Sequence, residues 1–359
     1  LTLPVNGKNH QGKMETVDHT AHTNSDPNAR LGYKPPSPSN LGPIGGPGTC
    51  RPDFAAPVPP GGYAWWYVDA LSDDGQHGLT VIAFIGSVFS PWYAWARRRG
   101  PAPAENHCAV NVALYGAGGK RWAMTERSAG ALRRTATSLA IGPSALHWDG
   151  HALTIDVNEV TAPLPSRLRG HIRLTPTGLG RNIVMLDAEN RHGWSPIAPT
   201  ARVTVSMSQP ARTWEGHGYF DCNWGARPLE ADFAEWHWCR ADIADGAAVL
   251  YDVTRRDGSR FGVARRYTRD GNSVAFDAPP ETPLARGLWL LPRATRTDPG
   301  TRARVVDTVE DSPFYARSVV EMHLLGERVT AMHEALSLDR FDTYWMRLML
   351  PFKAPRAMW

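Results

Sequence analysis

The chain has 359 residues, 42% hydrophobic and 21% charged, with 33 Gly and 30 Pro. That is more than one small core absorbs, and the length favours two domains. The absence of a glycine period, a heptad or a charge excess excludes collagen, coiled coil and wholesale disorder. The formal charge is +4, and lysine stands only at positions 8, 13, 34, 120 and 353. The basic residues are therefore nearly all arginines, in short clusters such as Arg97 to Arg99 and Arg265–Arg266. Neither a contiguous basic stripe nor a nucleic-acid module is visible, so no nucleic-acid partner is expected, and the weak basic bias suits an anionic membrane surface at least as well. The 14 Trp suggest a capacious interior lined by aromatic rings.

Residues 1–52 are expected to form a disordered tail. The run GPIGGPG at 42–48 follows Pro35, Pro36 and Pro38 and can neither build a ladder nor bury a core. A second proline cluster at Pro57, Pro59 and Pro60 closes the segment, and order is expected from Tyr63. No apolar run follows the few charges near the amino terminus, which predicts no signal peptide; the chain opens on Leu1, with Met14 as a second candidate start. The four cysteines, Cys50, Cys108, Cys222 and Cys239, form no CxxC pair and read as reduced thiols.

Beyond the tail the punctuation is that of an all-β protein. Period-two runs occur at 152–157, 169–174, 201–205 and 249–253, and Asp149-Gly150, Asp257-Gly258 and Asp270-Gly271 are hairpin signals of the type I′ kind. So many hairpins predict two barrels or sandwiches, one over 53–210 and one over 211–359, with the junction near Pro210. The stretch 78–96 has no charge and precedes three arginines, as a membrane span would. Pro91, Ser87, Ser90 and the β-branched run favour a buried strand followed by an aromatic loop. In that loop Trp92, Tyr93 and Trp95 beside Arg97 to Arg99 form an interfacial anchor, which predicts a peripheral membrane contact.

The chemistry concentrates in WEGHGYFDCNWG at 214–225. Read as a strand, it puts His217, Tyr219, Asp221 and Asn223 on one face and Phe220, Cys222 and Trp224 on the other. Four polar side chains in a row on an aromatic strand make either a solvent face or a site. The loop RHGWSP at 191–196 brings His192 and Trp194 into one direction, and AEWHWC at 234–239 sets Trp236 and Trp238 apart from Glu235, His237 and Cys239. No nucleophile elbow, P-loop or dinucleotide fingerprint is present. His217, Asp221 and His237 could in principle ligate a metal, but structural roles are the commoner fate of such residues, and no metal site is assigned. Asp69 and Asp252, in YAWWYVD and VLYDV, read as carboxylates paired with arginine or backbone amides.

Four segments together carry a resemblance: GGYAWWYVDALSDD from Gly61, TVIAFIGSVFSPWYAWAR from Thr80, HGWSPIAP from His192 and GHGYFDCNWG from Gly216. They resemble the carotenoid 1,2-hydratases, the hydroxyneurosporene synthases of phototrophic bacteria, over nearly everything from residue 53 onward. The resemblance implies two lipocalin-like β domains and a cofactor-free enzyme. That enzyme adds water across the terminal C1=C2 bond of an acyclic carotene such as neurosporene or lycopene. It further implies Asp221 as the acid, with Tyr219, Trp194 and His192 completing the catalytic group. Chemically, Trp194 and Tyr219 suit a developing cation, and His192 or the Tyr219 hydroxyl suits the attacking water. His217, Trp224, Trp236 and Trp238 are candidates for the substrate-binding wall. The setting implied is the cytoplasmic side of the photosynthetic inner membrane, held peripherally, with other carotenoid-biosynthesis enzymes as candidate partners. A non-catalytic carotenoid carrier and a cyclase on the same scaffold are the rival readings.

Overall fold

The structure is a computed structural model that describes residues 49–357. Of the expected tail, residues 1–48 lie outside the described part. The remainder is packed from Cys50, ahead of the expected start at Tyr63. The Cys50 amide donates to the Gly180 carbonyl at 2.6 Å, and the fully buried Phe54 sets its edge on Trp66 at 5.0 Å between ring centroids. Prolines that cannot join a ladder still cover one, and here they hold Phe54 and Val58 against the first core.

Twelve strands form the first sheet. They are β1 (Tyr63–Ser72), β2 (His77–Ile85), β3 (Cys108–Gly116), β4 (Arg121–Arg127), β5 (Leu132–Arg134), β6 (Ser138–Ile141), β7 (Ser144–Trp148), β8 (Leu153–Val160), β9 (Arg167–Gly178), β10 (Val184–Met185), β11 (His192–Gln209) and β12 (Ala211–Gly225). Their order is β4-β3-β2-β1-β12-β11-β9-β8-β7-β6-β5, with β10 paired to β11. Contacts between β4 and β8 bring the sheet round into a nearly closed barrel. Seven strands form the second sheet: β13 (Phe233–Ile243), β14 (Gly246–Arg255), β15 (Arg260–Thr268) and β16 (Ser273–Ala275), then, after the small pair β17 (Glu281–Pro283) and β18 (Ala294–Arg296), β19 (Arg304–Asp311), β20 (Tyr315–Leu324) and β21 (Glu327–Ser337). The fold is all-β and lipocalin-like. Pro210 turns the hairpin between β11 and β12 inside the first sheet, and the chain passes to the second sheet between Gly225 and Phe233.

Three short hairpins form where Asp-Gly was found, but the turns differ from the type I′ expectation. Only the glycines adopt positive φ (96° at Gly150, 83° at Gly258, 84° at Gly271). Each aspartate instead accepts a backbone N–H two residues on, from His151, Ser259 and Asn272. The Asp side chain thus fixes the turn that a second left-handed residue would have fixed. The expected aromatic loop after β2 is a short helix, α1 (Pro91–Arg97), started by Pro91 and by the Ser90 hydroxyl accepting the Tyr93 amide. Helix α2 (Leu229–Asp232) links the sheets, and α3 (Leu338–Phe341) and α4 (Tyr344–Lys353) close the described chain.

Alternation along the strands builds two distinct layers. Ala64, Trp66, Val68 and Ala70 of β1 point into the barrel with Phe220, Cys222 and Trp224 of β12. Tyr63, Trp65 and Tyr67, together with Trp194 and Tyr219, point outward and pack against Trp236, Trp238, Tyr251 and Leu336 of the second sheet. The polar face read from the sequence therefore lies between the two sheets.

Candidate active site

Strand β12 lies between β1 and β11, and the register stacks the site residues across three strands. Asp221 pairs with Tyr67 and Pro196, Asn223 with Trp65 and Trp194, and Tyr219 with Asp69. Two glycines make the stack possible by close approach. A Cβ on Gly193 would meet the Trp224 ring at 2.3 Å, and one on Gly225 would meet Tyr63 and His192 at 2.5 and 2.6 Å.

Asp221 is buried, with 3% of its surface exposed. Its Oδ2 accepts two hydrogen bonds, from the Trp194 indole N–H at 2.8 Å and from the Tyr219 hydroxyl at 2.8 Å. Its Oδ1 has no hydrogen-bond partner among the described residues. Burial pushes the carboxyl well above the usual range; the two donors pull against that shift, while Glu334 and Asp69 add to it. With Oδ2 occupied as an acceptor, Oδ1 is the oxygen free to carry a proton.

Asp221 lines a cavity of about 30 Å³ whose other walls include Asn223, Trp238, Tyr251 and Glu334. That volume suits a water or two. Trp65, Tyr67, Trp236 and Glu334 are shared with a larger, mainly aromatic cavity of about 90 Å³ that runs toward Trp122, Phe314 and the α4 residues Leu350 and Lys353. Polar groups sit at the junction. The Arg317 guanidinium donates twice to Oε1 of Glu334, at 2.7 and 2.9 Å, and also to the Tyr115 hydroxyl. On the floor, the buried Arg240 pairs with Asp69 at 2.7 Å, and the Tyr67 hydroxyl donates to the same aspartate. Asp252 is held by Arg296 at 2.8 Å. Both aspartates thus have the arginine partners expected for them.

The sequence-derived residues divide. Asp221, Trp194 and Tyr219 come together, with both rings serving as donors behind the carboxyl. Trp236 and Trp238 line the cavities, and Trp238 lies 5.3 Å from Tyr219 and 5.6 Å from Tyr67. His192 shares their face but lies one register step away. Its Nδ1 is bonded to the Tyr63 hydroxyl and its Nε2 to Asp232, both at 2.8 Å. His217 stands where β12 emerges into solvent, beside Asp73 at 3.4 Å, and does not reach the Asp221 cavity. Trp224 packs in the barrel interior, on the opposite face of β12 from Asp221. His237 turns away toward His333. Sequence reasoning missed Tyr67, Tyr251, Arg317 and Glu334. Tyr67 was legible as the residue two before Asp69 in an alternating strand; the others come from strands that only packing brings near.

The pattern of the family described as carotenoid hydratase CrtC matches residues 81–359. The chain belongs to that family. It is 54% identical over 320 residues to the acyclic carotenoid 1,2-hydratase of Thiocapsa roseopersicina, covering 89% of this chain and 79% of that one. To the acyclic carotenoid 1,2-hydratase of Rubrivivax gelatinosus it is 52% identical, covering 85% and 76%. Among solved structures, a Nitrosomonas europaea protein provisionally named AttH shares the fold with a TM-score of 0.51 at 16% identity, over 77% of this chain and 92% of that one.

Proposed function

We propose that this hydro-lyase adds water across the terminal C1=C2 bond of an acyclic carotene such as neurosporene or lycopene, with Asp221 as the acid. Membership in the hydratase family supports the reaction class. The observation that carries the atomic reading is the asymmetry of Asp221: two donors on Oδ2 and none on Oδ1. An alkene cannot act as a hydrogen-bond acceptor of ordinary strength, so the oxygen that protonates one is an oxygen left without a partner. Burial keeps that proton in place near neutral pH.

In this reading the Oδ1–H bond breaks as a C2–H bond forms, and C1 becomes a tertiary cation. The π faces around the cavity, Trp236, Trp238 and Tyr67, stabilise it by about 2 kcal/mol or more each where desolvated. Trp194 and Tyr219 take a different task from stabilising the cation, which their π faces suggested. As donors they hold the carboxyl in place and stabilise the carboxylate left behind. Water occupying the small cavity between Asn223, Tyr251 and Glu334 attacks C1. Glu334, held by two hydrogen bonds from Arg317, faces the cation and receives the proton that the added water loses. Returning that proton to Asp221 through the next water closes the cycle without a net change in charge. His192 has both nitrogens engaged, and we assign it to positioning Tyr63 and the end of β11.

Product analysis in isotopically labelled water tests the reading. Wild-type protein given lycopene or neurosporene in mild detergent should yield a product heavier by one labelled water, and Asp221→Asn should not. An unchanged polyene that stays bound would favour a carrier, and an isomer of unchanged mass a cyclase. We also place the protein peripherally on the cytoplasmic face of the inner membrane, where its substrate resides. No helix among the described residues is long and apolar enough to span a bilayer. Trp92 and Trp95, half-buried on α1, would then lie at the headgroup level, while Tyr93 is committed to the core through its bond to the Gly62 carbonyl.

A further inference from the structure

Helix α4 has two unlike sides. Met346 and Leu350 are buried, and Leu350, Lys353 and Ala354 form part of the wall of the larger aromatic cavity. The opposite side presents Tyr344, Trp345, Leu348, Met349 and Phe352 to solvent, with 74% of Tyr344 and 67% of Phe352 exposed. A second apolar group adjoins the start of this helix: Leu288, Trp289 and Leu290 are exposed on a loop whose Trp289 and Leu290 carbonyls accept from Arg340, just before α4. These two segments hold eight of the fourteen large hydrophobic side chains exposed among the described residues. Such clustering marks a surface that something covers.

The neighbouring charges indicate what covers it. Helix α1 packs beside α4, and the exposed Arg98 and Arg99 that follow it have no acidic partner among the described residues. A recess of about 300 Å³ at the same edge is lined by Trp92, Trp95, Arg99, His107 and Arg356. Protruding aromatic and aliphatic side chains next to guanidiniums without acidic partners match acyl chains next to phosphates.

We propose that the outer side of α4 and the Leu288–Leu290 loop insert into an anionic phospholipid bilayer, and that the aromatic cavity, walled by the inner side of α4, receives its substrate from the lipid there. The seating does not depend on the hydration reading; only the identity of what passes along α4 rests on it. The geometry makes α4 a shared wall, with lipid on one side and the route to Asp221 on the other.

The test is co-sedimentation of the full chain with phosphatidylcholine–phosphatidylglycerol vesicles, beside turnover of carotene supplied either in those vesicles or in detergent. Trp345→Glu with Phe352→Glu should lower vesicle partitioning at least about tenfold. It should slow turnover of vesicle-borne carotene while leaving turnover in detergent within about twofold. Leu288→Glu, on a separate element, should act in the same direction and guards against a local defect in α4. Unchanged partitioning in both variants overturns the proposal. So does a wild-type dimer that the double variant converts to a monomer with partitioning unaffected, because a second copy would then be the occupant. If the wild type produces no hydrated carotene in either medium, the hydration reading fails while partitioning still reports on the face.

Discussion

The two faces of β12 run through the same residues and have opposite contents. Phe220, Cys222 and Trp224 enter a barrel interior of aliphatic and aromatic side chains, whereas Tyr219, Asp221 and Asn223 enter a layer that also holds two buried arginine–carboxylate pairs. Ordinary close packing accounts for the first face. Polar groups in the second are expensive unless partnered, and most of them are partnered. The informative atoms are those left over, Asp221 Oδ1 above all. In this molecule the barrel interior is filler, and the proposed chemistry sits on its outer surface, roofed by the second sheet.

Substitutions that touch one face at a time can break or sharpen this comparison. The largest effect is expected from Asp221→Asn, which keeps an acceptor for Trp194 and Tyr219 but has no proton to give. Its kcat should fall about 10³-fold while its thermal midpoint stays close to wild type, measured by product formation and calorimetry. Phe220→Ala, on the other face, should show the converse: a loss of about 3–5 kcal/mol in denaturant unfolding, with the activity of the remaining folded protein retained. Loss of activity without loss of stability there would dissolve the distinction. Glu334→Gln should lower kcat about 10²-fold. Combining it with Arg317→Met, which removes the guanidinium left without its nearest carboxylate, should restore stability and not activity.

A smaller effect concerns pH. In the proposed mechanism Asp221 works protonated, so the rate should be constant at low pH and fall as pH rises through the elevated pKa of its carboxyl. Tyr219 and Trp194 favour the charged form by donating to it. Tyr219→Phe therefore raises that pKa further and moves the falling limb upward by about one pH unit, read from a kcat profile. A downward move would mean that Tyr219 does not donate to Asp221 during turnover. The smallest effect belongs to His217→Ala: at a solvent-exposed position, it should leave kcat and KM within about twofold.

Much of this was legible along the chain. Alternation in WEGHGYFDCNWG separates the two faces correctly because a strand's period is two and nothing interrupts it between Tyr219 and Trp224. His217 and Trp224, assigned to the substrate-binding wall, lie away from the Asp221 cavity for different reasons. The same face that is roofed at Asp221 has run out into solvent at His217, and Trp224 belongs to the barrel side even though it neighbours the site in sequence. Glu334 and Arg317 carry no local signal, since β20 and β21 reach the cavity only through the packing of one sheet on another. The short helix α4 was hidden because it is only ten residues long, has Pro351 in its last turn and carries apolar side chains on its exposed side as well as its buried one.

The chamber draws its acid, indole and phenol from one sheet and most of its roof from the other, and this has a consequence for inheritance. With Asp221 as the proposed acid, neither half carries the reaction alone, so duplication or grafting of either half would pass on a shell and not an activity. Variation, however, is not spread evenly. Side chains on β13, β14 and β21 can change the length and shape of the room while the residues around Asp221 stay as they are. Descendants of such an ancestor would diverge first in what they admit and last in how they protonate it.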